Sequence, residues 1–544
     1  MSKPQNDLGL TGATEGISPN GGPPPSSVGF LARASAMLAL ATLVSRIMGL
    51  VREMMVARYY GASGQTDSFF YALIIPELLR TLMVSGAVAS IYIPLMTQTQ
   101  RSGKVAEARK LAGIMLSFVS LLSIIIVLGG EFAAPWLVKV SEVLSFAKEP
   151  LDPARFALTT ELIRIFLPVV LLVSLWGLMG GILNALDNFH VPGLAPIAWN
   201  GVIIVILLIY GRRGDVHDVA WAFVIAHAVQ VLYHIPALTR AKIWPMAIDW
   251  KHPMLRQFLA LAPAALLAYA AQSVNAFVGQ GIALNLSESA ASSLAYAFRI
   301  QQLPMAIFGV SVATALFPTL SRHAASGSGK EVVRSLASGI RMTALEAIPV
   351  TVFMIVLPGE IIRLLFEHGA FTSRNAGDVS LALSCYSWGI IPMSLLLLTA
   401  RTFFSEKDMH TPAILGVVSI AVNYFLALNL SRKFGFYGIA MSTVSVAWIL
   451  FILSLVIIHV RHRKDTSLAG ALGFVSPMQM IIAGAAEAGA LFLLKKFVFT
   501  GSGTWALLGL IVVGAVMGAA IYLGLLKLMN NNDLSGMLKR LHRR

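Results

Sequence analysis

One cysteine in 544 residues, Cys385, rules out an intramolecular disulfide, and its apolar surroundings make it a packed or lipid-facing thiol rather than a reactive one. Charge is scarce as well. Asp, Glu, Lys and Arg make up 12% of the chain, about half of what a soluble protein carries, while 57% is hydrophobic. Water is therefore not the main solvent of this chain. Alternating ten-residue strands are missing too, which sets aside a β-barrel. Signatures of catalysis are equally absent. Gly329-Lys330 lacks the upstream glycine and the following Ser or Thr of a phosphate loop, and no HExxH helix, paired-cysteine metal site or GxSxG elbow occurs. The histidines in Glu367-His368 and from His459 to His462 fall in expected loops. No catalytic residue, metal or cofactor is expected, and an enzyme is disfavoured.

What the chain has instead is a series of apolar runs near 20 residues, such as Ile165 to Leu186, Val191 to Ile209, Ala413 to Leu430 and Leu507 to Leu526. Each is long enough to cross the roughly 30 Å hydrocarbon layer as a helix. The expected fold class is an all-α polytopic membrane protein. Breaks at Gly, Pro and charged clusters give about 14 spans, beginning near residues 30, 66, 105, 157, 191, 217, 256, 290, 333, 377, 411, 435, 475 and 503. Residues 1–28, with the run Gly21-Gly22-Pro23-Pro24-Pro25, read as a disordered tail rather than a cleaved signal peptide.

The net charge of +15 points to membrane orientation rather than to nucleic acid, because the basic residues sit between or beyond the spans. One set of loops carries Arg101, Lys104, Arg109 and Lys110, then Arg240, Lys242, Lys251 and Arg256, then Arg322, Lys330 and Arg334, then Arg461, Arg463 and Lys464. The C-terminal segment adds Lys539, Arg540, Arg543 and Arg544. The opposite set holds fewer, among them Lys139, Lys148, Arg212, Arg213, Arg363, Arg374, Arg432 and Lys433. That asymmetry places both termini in the cytoplasm.

A short internal repeat pairs Val88-Ala89-Ser90 and Pro94 with Val312-Ala313-Thr314 and Pro318, each late in a span with an earlier proline, Pro76 or Pro304. The spacing equals six spans and suggests two six-helix halves with a substrate site between them. The expected division is a six-span lobe over 29–240, a second over 241–465 with a cytoplasmic linker at 241–255, two further spans over 466–530, and a basic cytoplasmic tail over 531–544.

Charge inside the spans is the sharpest functional signal, since an arginine at mid-span costs about 2.5 to 3.5 kcal/mol on insertion scales. Arg46, Arg52 and Glu53 lie in the first span, Asp67, Glu77 and Arg80 in or beside the second, and Arg299 in the eighth. Ser45 and Arg52 are seven apart, as are Arg46 and Glu53, so each pair shares a helix face. Guanidinium groups suit a diphosphate because they present fixed donors and keep their proton. The competing explanation is ion pairing between packed helices, of Arg52 with Glu53 or Asp67 and of Arg80 with Glu77. Arg299 has no acidic residue within its own helix. Glu161 with Arg164 reads as a local pair, Arg341 and Arg401 as snorkelling or paired, and Glu346 and Glu487 as carboxyls without an evident cation. Prolines inside spans, such as Pro168, Pro263, Pro349, Pro358 and Pro392, read as kinks.

The segment from Ser45-Arg46 through Val51-Arg52-Glu53, followed by Ala57-Arg58-Tyr59-Tyr60-Gly61 and Thr66-Asp67-Ser68-Phe69-Phe70, closely resembles the opening of the MurJ (MviN) lipid II flippase family. The likeness continues through Pro76, Arg80, Gly86-Ala87 and Pro94. It returns at Arg299, Pro304, Gly309, Phe317-Pro318-Thr319-Leu320-Ser321, Gly369-Ala370-Phe371-Thr372, Phe404-Ser405, Asp408, Thr411 and Pro412. The resemblance implies the two-lobed fold of the multidrug/oligosaccharidyl-lipid/polysaccharide (MOP) exporters plus two C-terminal helices that form a groove for a lipid tail. It also implies alternating access, carrying lipid II outward across the bacterial inner membrane. Carried over by position, Arg46, Arg52, Arg80 and Arg299 would bind the diphosphate, with Ser45, Glu53, Asp67 and Glu77 as cavity or gating residues. Implied partners are lipid II, membrane lipids and cell-wall synthesis proteins. Other readings are a flippase for another polyprenyl-diphosphate glycan, a cation-coupled exporter, or a transport-inactive scaffold for cell-wall synthesis. Thr81, Ser85 and Phe298 depart from residues common in the family, and no sodium-site carboxylate stands near Asn275 or Asn423.

Overall fold

The computed structural model describes residues 28–81, 96–97, 99, 102–147, 149–246, 248–464, 466–497 and 503–541. The expected disordered segment, apart from Val28, lies outside them, as do Ser85 and the Val88 to Pro94 half of the repeat. The first half of the chain forms α1 (Val28–Tyr60), α2 (Gly64–Arg80), α3 (Val105–Ser145), α4 (Pro153–Ala185), α5 (His190–Tyr210) and α6 (Val216–Arg240). The second half forms α7 (Pro253–Leu284), α8 (Ala290–Ala325), α9 (Gly329–Val356), α10 (Pro358–Phe366), α11 (Ser373–Ser387), α12 (Ile390–Ser405), α13 (His410–Phe434) and α14 (Tyr437–His462). A short α15 (Leu468–Leu472) leads to the hairpin of α16 (Val475–Phe497) and α17 (Thr504–Leu528), and the chain closes with α18 (Asn532–Leu541).

Local chemistry sets these boundaries. Ser63 opens α2 with a reciprocal capping box to Thr66, and Thr372 opens α11 in the same way with Asn375. Asp152 caps α4 just ahead of Pro153, where a missing N–H costs nothing. Gly389 parts α11 from α12, which meet at 42°. A helix starts within four residues of every expected span start. Among the described residues nine helices are long and apolar enough to cross a membrane, or eleven when each of two bent pairs is one span. Their outer faces carry side chains suited to lipid, such as Phe132, Trp136 and Trp505.

Successive helices run up and down the bundle, so the connections fall at two ends. The end at which α1 begins is called the near end, and the end of the α1–α2 turn the far end. The largest apolar core occupies the far end and draws on both halves of the chain, joining Val56, Phe69, Phe166 and Phe223 to Tyr296, Phe366 and Phe371. At the near end the core divides. Leu111, Leu178 and Leu238 pack in one cluster that also takes in Leu255 of α7, while Leu336, Leu398 and Phe451 pack in a separate cluster of the second half. Among the described residues the halves thus share one continuous core at the far end, while the near end holds smaller separate clusters, one of them reached by α7 through Leu255.

The basic segment after residue 530 packs against the helices through its described residues. Asn532–Leu541 is helical, Leu534 is buried with Tyr522 and Met480, and Asp533 accepts two bonds from Arg341 Nε at 3.0 and 3.1 Å. Glu161 and Arg164 do not pair with each other: Arg164 Nε donates to the Glu131 carbonyl at 3.3 Å on the neighbouring α3 and lies 3.8 Å from its carboxylate, which leaves Glu161 to face His217 at 3.5 Å.

Candidate functional site

Three charged groups meet where the halves face each other. Arg52 and Glu53 project from α1, and Arg299 comes from α8 in the other half. Arg52 Nη2 donates to Glu53 Oε1, and Arg299 Nε lies 3.5 Å from the same oxygen. One carboxylate therefore bridges two guanidinium groups from opposite halves, and the group keeps one net positive charge. Adjacent residues on a helix seldom face each other; here the long Arg52 side chain turns back because Asn200 of α5 takes Nη1 at 3.0 Å. Asn200 in turn donates to the Ser45 carbonyl at 3.1 Å and to Ser45 Oγ at 3.3 Å, so Ser45 and Arg52 do share one face through a common partner. Trp199 and Phe223 supply aromatic faces 4.5 and 5.4 Å from the Arg52 guanidinium carbon.

Exposure divides the two arginines. The Arg52 side chain is 5% exposed and Arg299 is 42% exposed, although Arg299 sits well inside a long helix. Arg52 Nε is buried with no hydrogen-bond partner among the described residues. The centre thus combines a sealed, pre-oriented cation, an accessible one, and a shared anion between them. A doubly charged oxyanion could exchange with Glu53 at both guanidinium groups, which present planar donor pairs.

The other expected site residues take different places. Arg46 is half-buried on α1, two turns before Glu53 on the same face. The Arg80 side chain lies outside the described residues, and Glu77 is exposed on α2 one turn before it. Asp67 does not join the arginines. It is buried at the far end, where it accepts the Ser292 amide at 2.8 Å, the Ser292 hydroxyl at 2.7 Å and Arg155 Nη2 at 3.3 Å. Around it the two halves are tied repeatedly. Ala370 N donates to the Arg58 carbonyl at 2.8 Å, Tyr296 to the Gly61 carbonyl at 3.1 Å, and Asn375 to the Ala62 carbonyl at 2.9 Å. Asn200, Arg155 and Ser292 were missed in the sequence. Asn200 alone left a signal there, as an amide within an apolar span. Phe298 stacks near Tyr386 at 5.3 Å and Thr81 accepts from Ser273 at 3.1 Å, so both family departures pack as neutral contacts.

Two helical halves joined by one large core at the far end, with smaller separate clusters among the described residues of the near end and arginines meeting between the halves, define a polytopic membrane transporter of the MOP type. The family model for lipid II flippase MurJ matches residues 56–525. A probable lipid II flippase MurJ of Rickettsia prowazekii is 30% identical over 420 residues, covering 77% of this chain and 82% of that protein. The lipid II flippase MurJ of Burkholderia cenocepacia is 28% identical, with 74% and 78% covered. The chain belongs to the MurJ family. A solved lipid II flippase MurJ in an inward closed conformation shares the fold, with a TM-score of 0.71, 23% identity, and 90% of this chain and 98% of that one covered. An inward-facing MATE family transporter of the MOP superfamily follows at 0.65, with 14% identity and 79% and 98% covered.

Proposed function

We propose that this chain is a lipid II flippase, carrying the undecaprenyl-diphosphate-linked precursor from the cytoplasmic to the periplasmic leaflet of the bacterial inner membrane. Both termini and the near end then face the cytoplasm, in line with the excess of Lys and Arg in the near-end loops. No bond is made or broken in this task, so the work falls to binding and conformational change. The observation that carries the reading is the Arg52–Glu53–Arg299 group, in which opposite halves hold one carboxylate between two guanidinium groups.

In this reading the diphosphate enters from the near end, meets the accessible Arg299 first, and displaces Glu53 from Arg52. Arg46 and Arg80 add charge along the path. A dianion larger than the Glu53 carboxylate, held by both halves, favours the state in which they draw together around it at the near end. Closure there strains the far-end ties and opens the opposite side. The released carrier then returns to the Glu53-bridged state. The family's name and the two MurJ relatives support lipid II as the cargo.

Complementation tests the reading. Arg52→Ala and Arg299→Ala are each expected to abolish rescue of a flippase-depleted bacterium while the protein remains inserted. Each loss of a charge-assisted bond, at about 1.5–3 kcal/mol, should weaken lipid II binding roughly 10- to 100-fold. Full growth with both arginines replaced overturns the proposal.

A further inference from the structure

Glu487 lies near the middle of α16 with 2% of its surface exposed, inside the contact with α17. Its Oε1 presses on the backbone of Gly518, where an added Cβ would stand 2.9 Å away. Its Oε2 has no hydrogen-bond partner among the described residues. One helical turn beyond Gly518, the Tyr522 hydroxyl is also buried and unpartnered, within electrostatic range of Glu487.

Among the described residues the surrounding elements supply no counter-charge. On α9, which packs against α16 through Ile348 and Val352, Arg341 is engaged by Asp533 and the only other ionisable group along the contact is the half-buried Glu346. On α10, Glu360 is held by Lys495 at 2.8 Å and Arg363 by Glu367 at 2.7 Å. On α17, Lys527 is exposed at the near end and Tyr522 is the group that faces the carboxyl. An ionised carboxylate sealed among apolar side chains without a cation is far costlier than a neutral acid, whose added O–H also becomes a donor for a neighbour such as Tyr522.

We propose that Glu487 is a proton-binding site within the membrane, occupied while α16 and α17 are packed together and emptied only when they part. Gly518 is what allows the carboxyl to lie at the helix contact at all. The site shares no residue with the arginine centre, so the hairpin's packing responds to protons whatever the cargo is. A group that is neutral when packed and ionised when released contributes stability below the ordinary glutamate range, and that contribution is lost as pH rises. From about pH 5 upward the unfolding equilibrium should therefore shift by up to tenfold per pH unit for this one proton.

Infrared spectroscopy of the purified full chain in lipid nanodiscs, with E487Q as the isosteric reference, is the test. At neutral pH the wild-type minus E487Q difference is expected to show a protonated-carboxyl C=O stretch that moves on transfer to D2O. The unfolding midpoint of the wild type should fall with rising pH relative to that of E487Q. Gly518→Ala, which keeps the acid but crowds it, should displace the same band. Carboxylate bands alone in the difference spectrum, or wild-type and E487Q midpoints that run parallel across pH, overturn the proposal.

Discussion

Arg52 is held by one acid and one amide, and the amide decides how much charge the centre keeps. Asn200→Ala removes the acceptor on Nη1 and the tie to Ser45. Unfolding in detergent should show a loss of about 1.5–3 kcal/mol, the range for hydrogen bonds to charged groups. Asn200→Asp has the opposite character: it adds a second carboxylate, cancels the remaining positive charge, and is expected to keep the fold while lowering lipid II affinity at least tenfold in a direct binding assay. At the near end Asp408 offers a pH-dependent contact. Burial pushes its carboxyl up, but the hydroxyl and amide of Thr411 and the Arg461 guanidinium outweigh burial and hold it at about 2. A depressed carboxyl stabilises above its ordinary range, so that contribution should persist above about pH 4 and fade toward pH 2. Acid melts of the wild type compared with Asp408→Asn are expected to converge across that window.

At the scale of elements, the far-end closure depends on two turns that come within backbone contact. Gly61 has φ +65° and a Cβ there would stand 2.6 Å from the Ala370 carbonyl oxygen; Gly369 has the same φ and a Cβ there would collide with the Arg58 carbonyl oxygen. Gly61→Ala or Gly369→Ala adds roughly 1–2 kcal/mol of left-handed strain to a direct clash. Both should open the far end, read as faster labelling of a cysteine at Ala62 by a membrane-impermeant thiol reagent. The helices around these turns were legible in the sequence because length, apolarity and punctuation by Pro, Gly and charge are local properties. Ser45 and Arg52 on one face were legible for the same reason. What local pattern does not carry is the partner: Arg341 and Asp533 stand 192 positions apart, so nothing in the basic segment over 531–544 announces that Asp533 engages a distant arginine. Asp67 likewise read as a neighbour of the arginines because it follows them closely in the chain. Its partner, Ser292, is 225 positions away.

At the scale of the molecule, one large core shared by the two halves at the far end, against smaller separate clusters among the described residues of the near end, makes the far end the pivot of the two halves. If transport requires that pivot to move, fixing it must stop the cycle without harming binding. Asp67 and Ser292 provide the pair, since their side-chain oxygens meet at 2.7 Å across the halves. In a Cys385→Ser background, cysteines at both positions, joined by oxidation, are expected to abolish lipid II delivery to the outer leaflet of proteoliposomes. Reduction should restore the rate of the uncrosslinked pair. Binding of lipid II from the near end should survive the cross-link within a few-fold, because the arginine group lies away from the bond. Unimpeded transport by the cross-linked protein would mean that the far-end core is permanent structure, and a route for the cargo would then have to exist within a single half rather than between two.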